Sequence, residues 1–288
     1  MDSTVIVTGG LGRSGRWIVD RLAADHAVVC VDLDHPGYEV APRDRVGEVG
    51  GAEVDAGETF DLIGEINPDA VVHWGSHPAW RVFGDSVAGA YNVLVAAGRA
   101  DATVVQASSE SAYGFAFAEE TPLPDELPIT EDHPMRPEDP YGTGKVVAEE
   151  VADMVHRRHG IPVTSIRPSW IQYPGEYTCR DFDALADGAG NCWSYVDVRD
   201  AAELVASAVT DPPAGHEAVH AAAADNYLGR PTVEAVEEHF GALPDQCTLD
   251  GEQSALSTVK AAELFGWGPE HEWRTAREEE IHAPVLWS

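Results

Sequence analysis

The sequence predicts an α/β protein, a doubly wound parallel sheet followed by a small C-terminal region. Two observations carry that prediction. Short apolar runs alternate with segments of helical apolar spacing as far as residue 166. The first of those runs passes through closely spaced glycines directly into a helix-like segment. The 288 residues suffice for a large core, and soft length rules allow one large domain or two smaller ones.

Val5, Ile6 and Val7 read as a buried strand, and 13–24 as the helix that follows. Residues 27–31 give a second strand, and a weak third strand precedes Asp55. Helical spacing at 60–66 leads into a fourth strand at 70–74, and helical spacing at 85–99 into a fifth at 103–106. Prolines at 122, 124, 128, 134, 137 and 140 forbid regular structure, so a long surface loop over 121–140 delivers the chain to a helix over 141–159. A strand at 163–166 closes the series, and beyond about 167 the alternation breaks down. The expected division is a dinucleotide-binding domain at 1–168 and a small substrate-binding region at 169–288, interleaved with it.

The glycines carry the first chemistry. In Val5-Ile6-Val7-Thr8-Gly9-Gly10-Leu11-Gly12-Arg13-Ser14-Gly15 a strand turns through glycine into a helix. Gly9 permits the tight turn, Gly12 lets backbone approach a pyrophosphate, and Gly15 allows close helix packing. The N–H groups of the helix start, around Arg13 and Ser14, then face the anion. Asp32 ends the second strand, where a carboxylate accepts both ribose hydroxyls and repels a 2′-phosphate; no Arg or Lys follows before Arg43. NAD is therefore expected in preference to NADP. Asp55 and Ala56, after the weak third strand, could hold the adenine amino group.

Tyr141 and Lys145 carry the second. The chain has eight tyrosines and only two lysines, at 145 and 260, so a Tyr and a Lys four apart is an unusual coincidence. Residues four apart share a helix face, which puts an ammonium beside a phenol and favours the phenolate, a general base for redox chemistry at a carbon bearing oxygen.

With Thr8-Gly9-x-x-Gly12-x-x-Gly15, Ala107-Ser108-Ser109-Glu110-Ser111-Ala112-Tyr113-Gly114, Tyr141-x-x-x-Lys145 and Ile166-Arg167-Pro168 in this order, the chain resembles the extended short-chain dehydrogenase/reductase family, over roughly residues 4–205. The resemblance implies a Rossmann-type fold. It also implies that Ser109 holds the substrate oxygen, that Tyr141 is the base, and that Lys145 binds the nicotinamide ribose. Trp74, Gly75, Ser108 and Pro168 would line the cofactor; Ser76, His77, Glu110, Ser111 and Ser169 would line the substrate. A homodimer through the helices at 85–99 and 141–159 is implied as well. Two positions depart from the family pattern: Ser86 stands where many members carry a structural Asn, and Glu110-Ser111 replaces the paired acids of sugar-nucleotide dehydratases.

The segment from Trp170 to Trp193 is short, and Arg180 is its only basic residue, which suits a small sugar with at most one anionic group. Arg180 is the candidate for that group. Trp170, Tyr173 and Trp193 are candidates to shape a sugar pocket by stacking. The closest likeness is to uronate and aldose dehydrogenases, which oxidise a cyclic sugar at C1 to a lactone. A neutral aldose, a uronate and a sugar phosphate such as glucose 6-phosphate all stay open. Two rivals stand beside this expectation: a nucleotide-sugar 4-epimerase and a non-catalytic NAD-binding regulatory protein.

Fifty acidic against eighteen basic residues give a net charge of −32, which repels nucleic acid and anionic membranes. The acidity is dispersed, lysine is scarce, and the composition resembles that of haloarchaeal proteins. Cys30, Cys179, Cys192 and Cys247 lack C-x-x-C spacing, no apolar run could span a bilayer, and the chain opens on a strand, so a soluble cytoplasmic protein with reduced thiols is expected. His73 with His77, and His156 with His159, have ligand-like spacing, but a strand end and an Arg-rich helix terminus are poor metal sites, and no metal is expected.

Overall fold

The computed structural model describes residues 3–32, 46–50, 55–75, 82–182 and 184–286. In chain order the elements are β1 (Thr4–Thr8), α1 (Gly15–Leu22), β2 (Ala27–Asp32), β3 (Val46–Gly50), α2 (Ala56–Ile66), β4 (Ala70–His73), α3 (Val82–Arg99), β5 (Thr103–Ala107), β6 (Glu126–Leu127) and α4 (Pro140–His159). There follow β7 (Val163–Pro168), β8 (Trp170–Gln172), β9 (Tyr195–Asp197), α5 (Val198–Thr210), β10 (His216–Ala221), α6 (Thr232–Phe240), β11 (Gln246–Cys247), α7 (Val259–Phe265) and α8 (Trp273–Ala276).

Seven parallel strands form the central sheet in the order β10-β7-β5-β4-β1-β2-β3. Val5 stands beside Val28 on one side and Ala70 on the other, so β1 lies at the centre where the strand order reverses. That reversal opens a crevice at the carboxyl ends of β1 and β4, the place where open α/β sheets bind ligands. Helices cover both faces, and the strands are accordingly apolar on both. Val5, Val7, Val28 and Val72 pack with Leu22, Leu204 and Val205 on one side. Ile6, Val71 and Val104 pack with Leu94 and Val155 on the other.

The α/β sheet expected from the sequence is thus the observed fold, with differences at element ends. Helix α2 starts at Ala56, four residues early, because the Asp55 carboxylate accepts the Glu58 N–H at 3.0 Å and caps it. Helix α1 is shorter than its apolar pattern, covering Gly15–Leu22. Alternation does resume after 167, since α5 leads into β10, which pairs with β7 and adds a strand to the sheet edge. Within the proline-rich loop, Glu126 and Leu127 pair with Gln246 and Cys247 from far down the chain. A third core, around Tyr113, Leu127, Ile129, Tyr177, Trp193 and Tyr227, sits beneath this C-terminal part.

Candidate active site

The glycine loop closes on the end of β4. Gly9 has φ +68°, and a Cβ there would stand 2.6 Å from the Gly75 Cα. A Cβ on Gly15 would reach within 2.0 Å of the Gly9 carbonyl oxygen, so α1 also begins in backbone contact with the turn. Asp32 accepts the Leu11 N–H at 3.1 Å, and Ser14 accepts the Trp74 indole N–H at 3.1 Å. Strand ends and loop are thereby tied together. The first turn of α1 has no acidic residue and no side-chain cap, so no side chain neutralises the positive end of its dipole, which favours an anion. This cradle, with Asp32 beside it, fits a dinucleotide. Asp55 and Ala56 serve as cap and first residue of α2.

The start of α4 brings in the second constellation. Asp139 accepts the N–H groups of Tyr141 and Gly142 at 2.8 and 2.9 Å, with Pro140 in the first turn, which sets where the helix begins. A Cβ on Gly142 would lie 2.5 Å from the Ser111 carbonyl oxygen, so glycine lets the helix start press on the short turn after β5. Lys145 is buried; its Nζ donates to the Ala107 carbonyl at 2.7 Å and stands 5.5 Å from the Tyr141 ring centroid. Ser109 caps that same turn, its Oγ accepting the Ser111 N–H and donating to the Ser111 Oγ, both at 3.1 Å.

Ser109, Ser111 and Tyr141 line one cleft of about 590 Å³ together with Pro168 and Ser169. Glu110 lines it too. It is buried, and its Oε2 accepts the Ser169 hydroxyl at 3.0 Å. Burial holds this carboxyl well above the usual carboxylate range, against a smaller lowering by Ser169. Aromatic rings complete the walls: Phe117 meets Tyr141 edge-on at 6.1 Å, and Phe182 stacks on Trp170 at 5.1 Å.

Behind the cleft runs a buried polar network. Glu149, one turn after Lys145, takes two hydrogen bonds from Arg167, at 2.9 and 2.6 Å, and one from Ser108 Oγ. Arg167 also donates to the Tyr113 hydroxyl at 2.7 Å, which bonds His220 Nε2 at 2.5 Å. His220 Nδ1 in turn donates to the Ser257 carbonyl at 2.8 Å. The network fixes the turn carrying Ser109 to the helix carrying Tyr141 and Lys145.

Not every expected site residue reaches the cleft. Ser108 turns its hydroxyl inward to Glu149. Arg180 lies over the Trp273 ring, 4.0 Å from its centroid, and donates to the Tyr227 carbonyl; it lines a neighbouring cavity of about 310 Å³. Trp193 is fully buried, a core residue, whereas Trp170 and Tyr173 line the cleft. Ser76 and His77 lie outside the described residues. Arg13, expected at the cofactor, stacks on Tyr173 at 3.9 Å and pairs with Glu176. Phe117, Phe182, Asp187 and Asn191 line the cleft without having been foreseen, since loop residues of ordinary spacing carry no periodic signal. Among the described residues no group of three His, Cys, Asp or Glu is placed to hold a metal, and no helix is long and apolar enough to cross a membrane.

Residues 5–183 match the NAD dependent epimerase/dehydratase family. An L-arabinose 1-dehydrogenase (NAD(P)(+)) of Haloferax volcanii is 32% identical over 183 residues, 58% of this chain and 66% of that one. A UDP-glucose 4-epimerase of Streptococcus mutans is 29% identical over 176 residues, 57% of this chain. The chain spans half the length of that epimerase and about two thirds of the dehydrogenase. A solved mutated uronate dehydrogenase superposes with a TM-score of 0.68 at 23% identity, over 95% of this chain and 85% of that one, a likeness of fold.

Proposed function

Because the chain belongs to the NAD dependent epimerase/dehydratase family, we propose that it is an NAD-dependent dehydrogenase that oxidises a small cyclic sugar at C1 to the lactone. NAD is the family's cofactor, and when bound it accepts the hydride. Gly9, Gly12, Gly15 and the start of α1 would hold its pyrophosphate, Asp32 its ribose, and Lys145 the ribose nearer the reaction. Tyr141 takes the proton from the sugar's C1 hydroxyl as general base, and Ser109 donates a hydrogen bond to the same oxygen. Lys145, buried against Ala107 and beside the Tyr141 ring, stabilises the phenolate that accepts this proton. Trp170, Phe182 and Phe117 line the cleft and offer rings to the apolar face of the sugar.

The observation that carries this reading is that Ser109 and Tyr141 open on one small cleft at the sheet's carboxyl edge. The test is NADH absorbance with a panel of aldoses, uronates and sugar phosphates, offered with NAD and then NADP. An NAD-dependent signal that Tyr141→Phe abolishes supports the reading, and silence across the panel sinks it.

A nucleotide-sugar 4-epimerase is the second reading. It is favoured by the identity to the Streptococcus mutans enzyme and by the second cavity, which shares Phe182 with the cleft and holds Arg180 and Arg230. Interconversion of UDP-glucose and UDP-galactose without net NADH would select it.

A further inference from the structure

We propose that Glu110, in its acid form, determines specificity in the cleft by donating a hydrogen bond to a hydroxyl of an uncharged sugar, so that the substrate carries neither carboxylate nor phosphate. This rests on the sugar dehydrogenase reading and narrows it.

The groups in hydrogen-bonding or electrostatic contact with Glu110 are neutral. Ser109 and Ser111 flank it in the chain, Ser169 bonds it from the end of β7, and Cys192 and Tyr227 interact with it from the C-terminal part. Burial pushes the Cys192 thiol up to about 12 and the Tyr227 phenol up as well, so both are uncharged near neutrality. Tyr141 and the carboxylate of Asp187 share the cleft with it. Among the described residues Glu110 has no cationic partner, and a buried carboxylate without one is strongly disfavoured against its acid form. The acid form offers one O–H donor. With Ser169 donating to Oε2, that proton belongs on Oε1.

A sugar hydroxyl complements such a group. A carboxylate or phosphate does not, because an anion leaving water needs a counter-charge. Arg13 is the cation among the described residues of the cleft, and it is already paired with Glu176 and stacked on Tyr173. The stacked Trp170 and Phe182 rings suit the C–H face of an unmodified sugar ring.

The test is calorimetric titration of the NADH-loaded protein, in which no turnover occurs, with glucose and arabinose, with glucuronate and with glucose 6-phosphate, across pH. The neutral sugars are expected to bind about ten-fold or more tightly than their anionic counterparts. Glu110→Gln keeps a donor and is expected to retain neutral-sugar binding within about three-fold while removing the loss of binding that wild type shows at alkaline pH. Glu110→Ala is expected to weaken it about three- to ten-fold. Equal or tighter binding of an anionic sugar, no effect of Glu110→Ala, or the same alkaline loss in wild type and Glu110→Gln would each overturn the proposal. Binding of a neutral sugar by the NAD-loaded enzyme without NADH formation would sink the dehydrogenase reading alone, and failure of the whole panel to bind would sink both.

Discussion

Gly9 and Gly75 meet backbone to backbone: a Cβ on Gly9 would lie 2.6 Å from the Gly75 Cα, at a φ of +68° that side chains rarely adopt. The first and fourth strands thus end in contact at the point where the sheet order reverses. Gly9→Ala is expected to cost about 1–3 kcal/mol of stability through strain and overlap and to abolish NAD binding. Denaturant titration and fluorescence titration with NADH check the two halves. Unchanged NADH affinity would mean the loop does not cradle the cofactor.

The Glu149 and Arg167 side chains, 6% and 4% exposed, hold each other in the core behind Ser109. Removing one partner leaves a buried charge alone, so Glu149→Ala is expected to destabilise by about 3–5 kcal/mol. The double variant Glu149→Ala with Arg167→Met should lose less than the sum of the single changes. Additive losses in urea would show that the two do not act as a pair.

His220 gives a pH dependence with a definite sign. Burial pushes its imidazole down from 6.5 to about 3. Between those values the unfolded chain binds a proton that the folded one refuses, so stability falls as pH falls. The contribution is whole above about 6.5 and is lost progressively toward about 3. His220→Gln, which does not titrate, should show a shallower fall through that window. Identical slopes for variant and wild type would refute the assignment.

Tyr141→Phe is expected to lower turnover by about a hundred- to ten-thousand-fold with NADH affinity kept, because only the proton-accepting oxygen is lost. Lys145→Met should lower both turnover and affinity. Stopped-flow and equilibrium titration separate the two variants, and a Tyr141→Phe enzyme with wild-type turnover would remove Tyr141 from the mechanism.

The net charge of −32 repels itself in dilute buffer. Adding salt toward molar concentration screens that repulsion and should raise the melting temperature. A melting temperature that is flat or falling with potassium chloride would argue against charge repulsion as a limit on stability.

Much of the fold was legible because its signals are local. Strand runs such as Val5 to Val7 and Val28 to Val31, the glycine turn and the Tyr141–Lys145 spacing depend on neighbours in sequence, where propensity and periodicity act. Strand β10 was not legible. Its sequence, His216-Glu217-Ala218-Val219-His220-Ala221, is half polar, and it becomes a strand by pairing with β7 at the sheet edge.

By itself, then, the sequence determined the α/β sheet, the glycine cradle with Asp32, and the presence of Ser109, Tyr141 and Lys145 at the ends of particular elements. Only the tertiary structure decided which side chains share the cleft. It brought Ser109, Tyr141 and Ser169 to one cleft, lined it with Phe117 and Phe182, turned Ser108 inward, and seated Arg180 on Trp273. It also buried Glu110 without a cation. The physical reason is distance along the chain. Contacts between residues 110 and 169, or 180 and 273, arise from packing of elements far apart in sequence, and no local propensity encodes where a side chain's charge will find water or a partner.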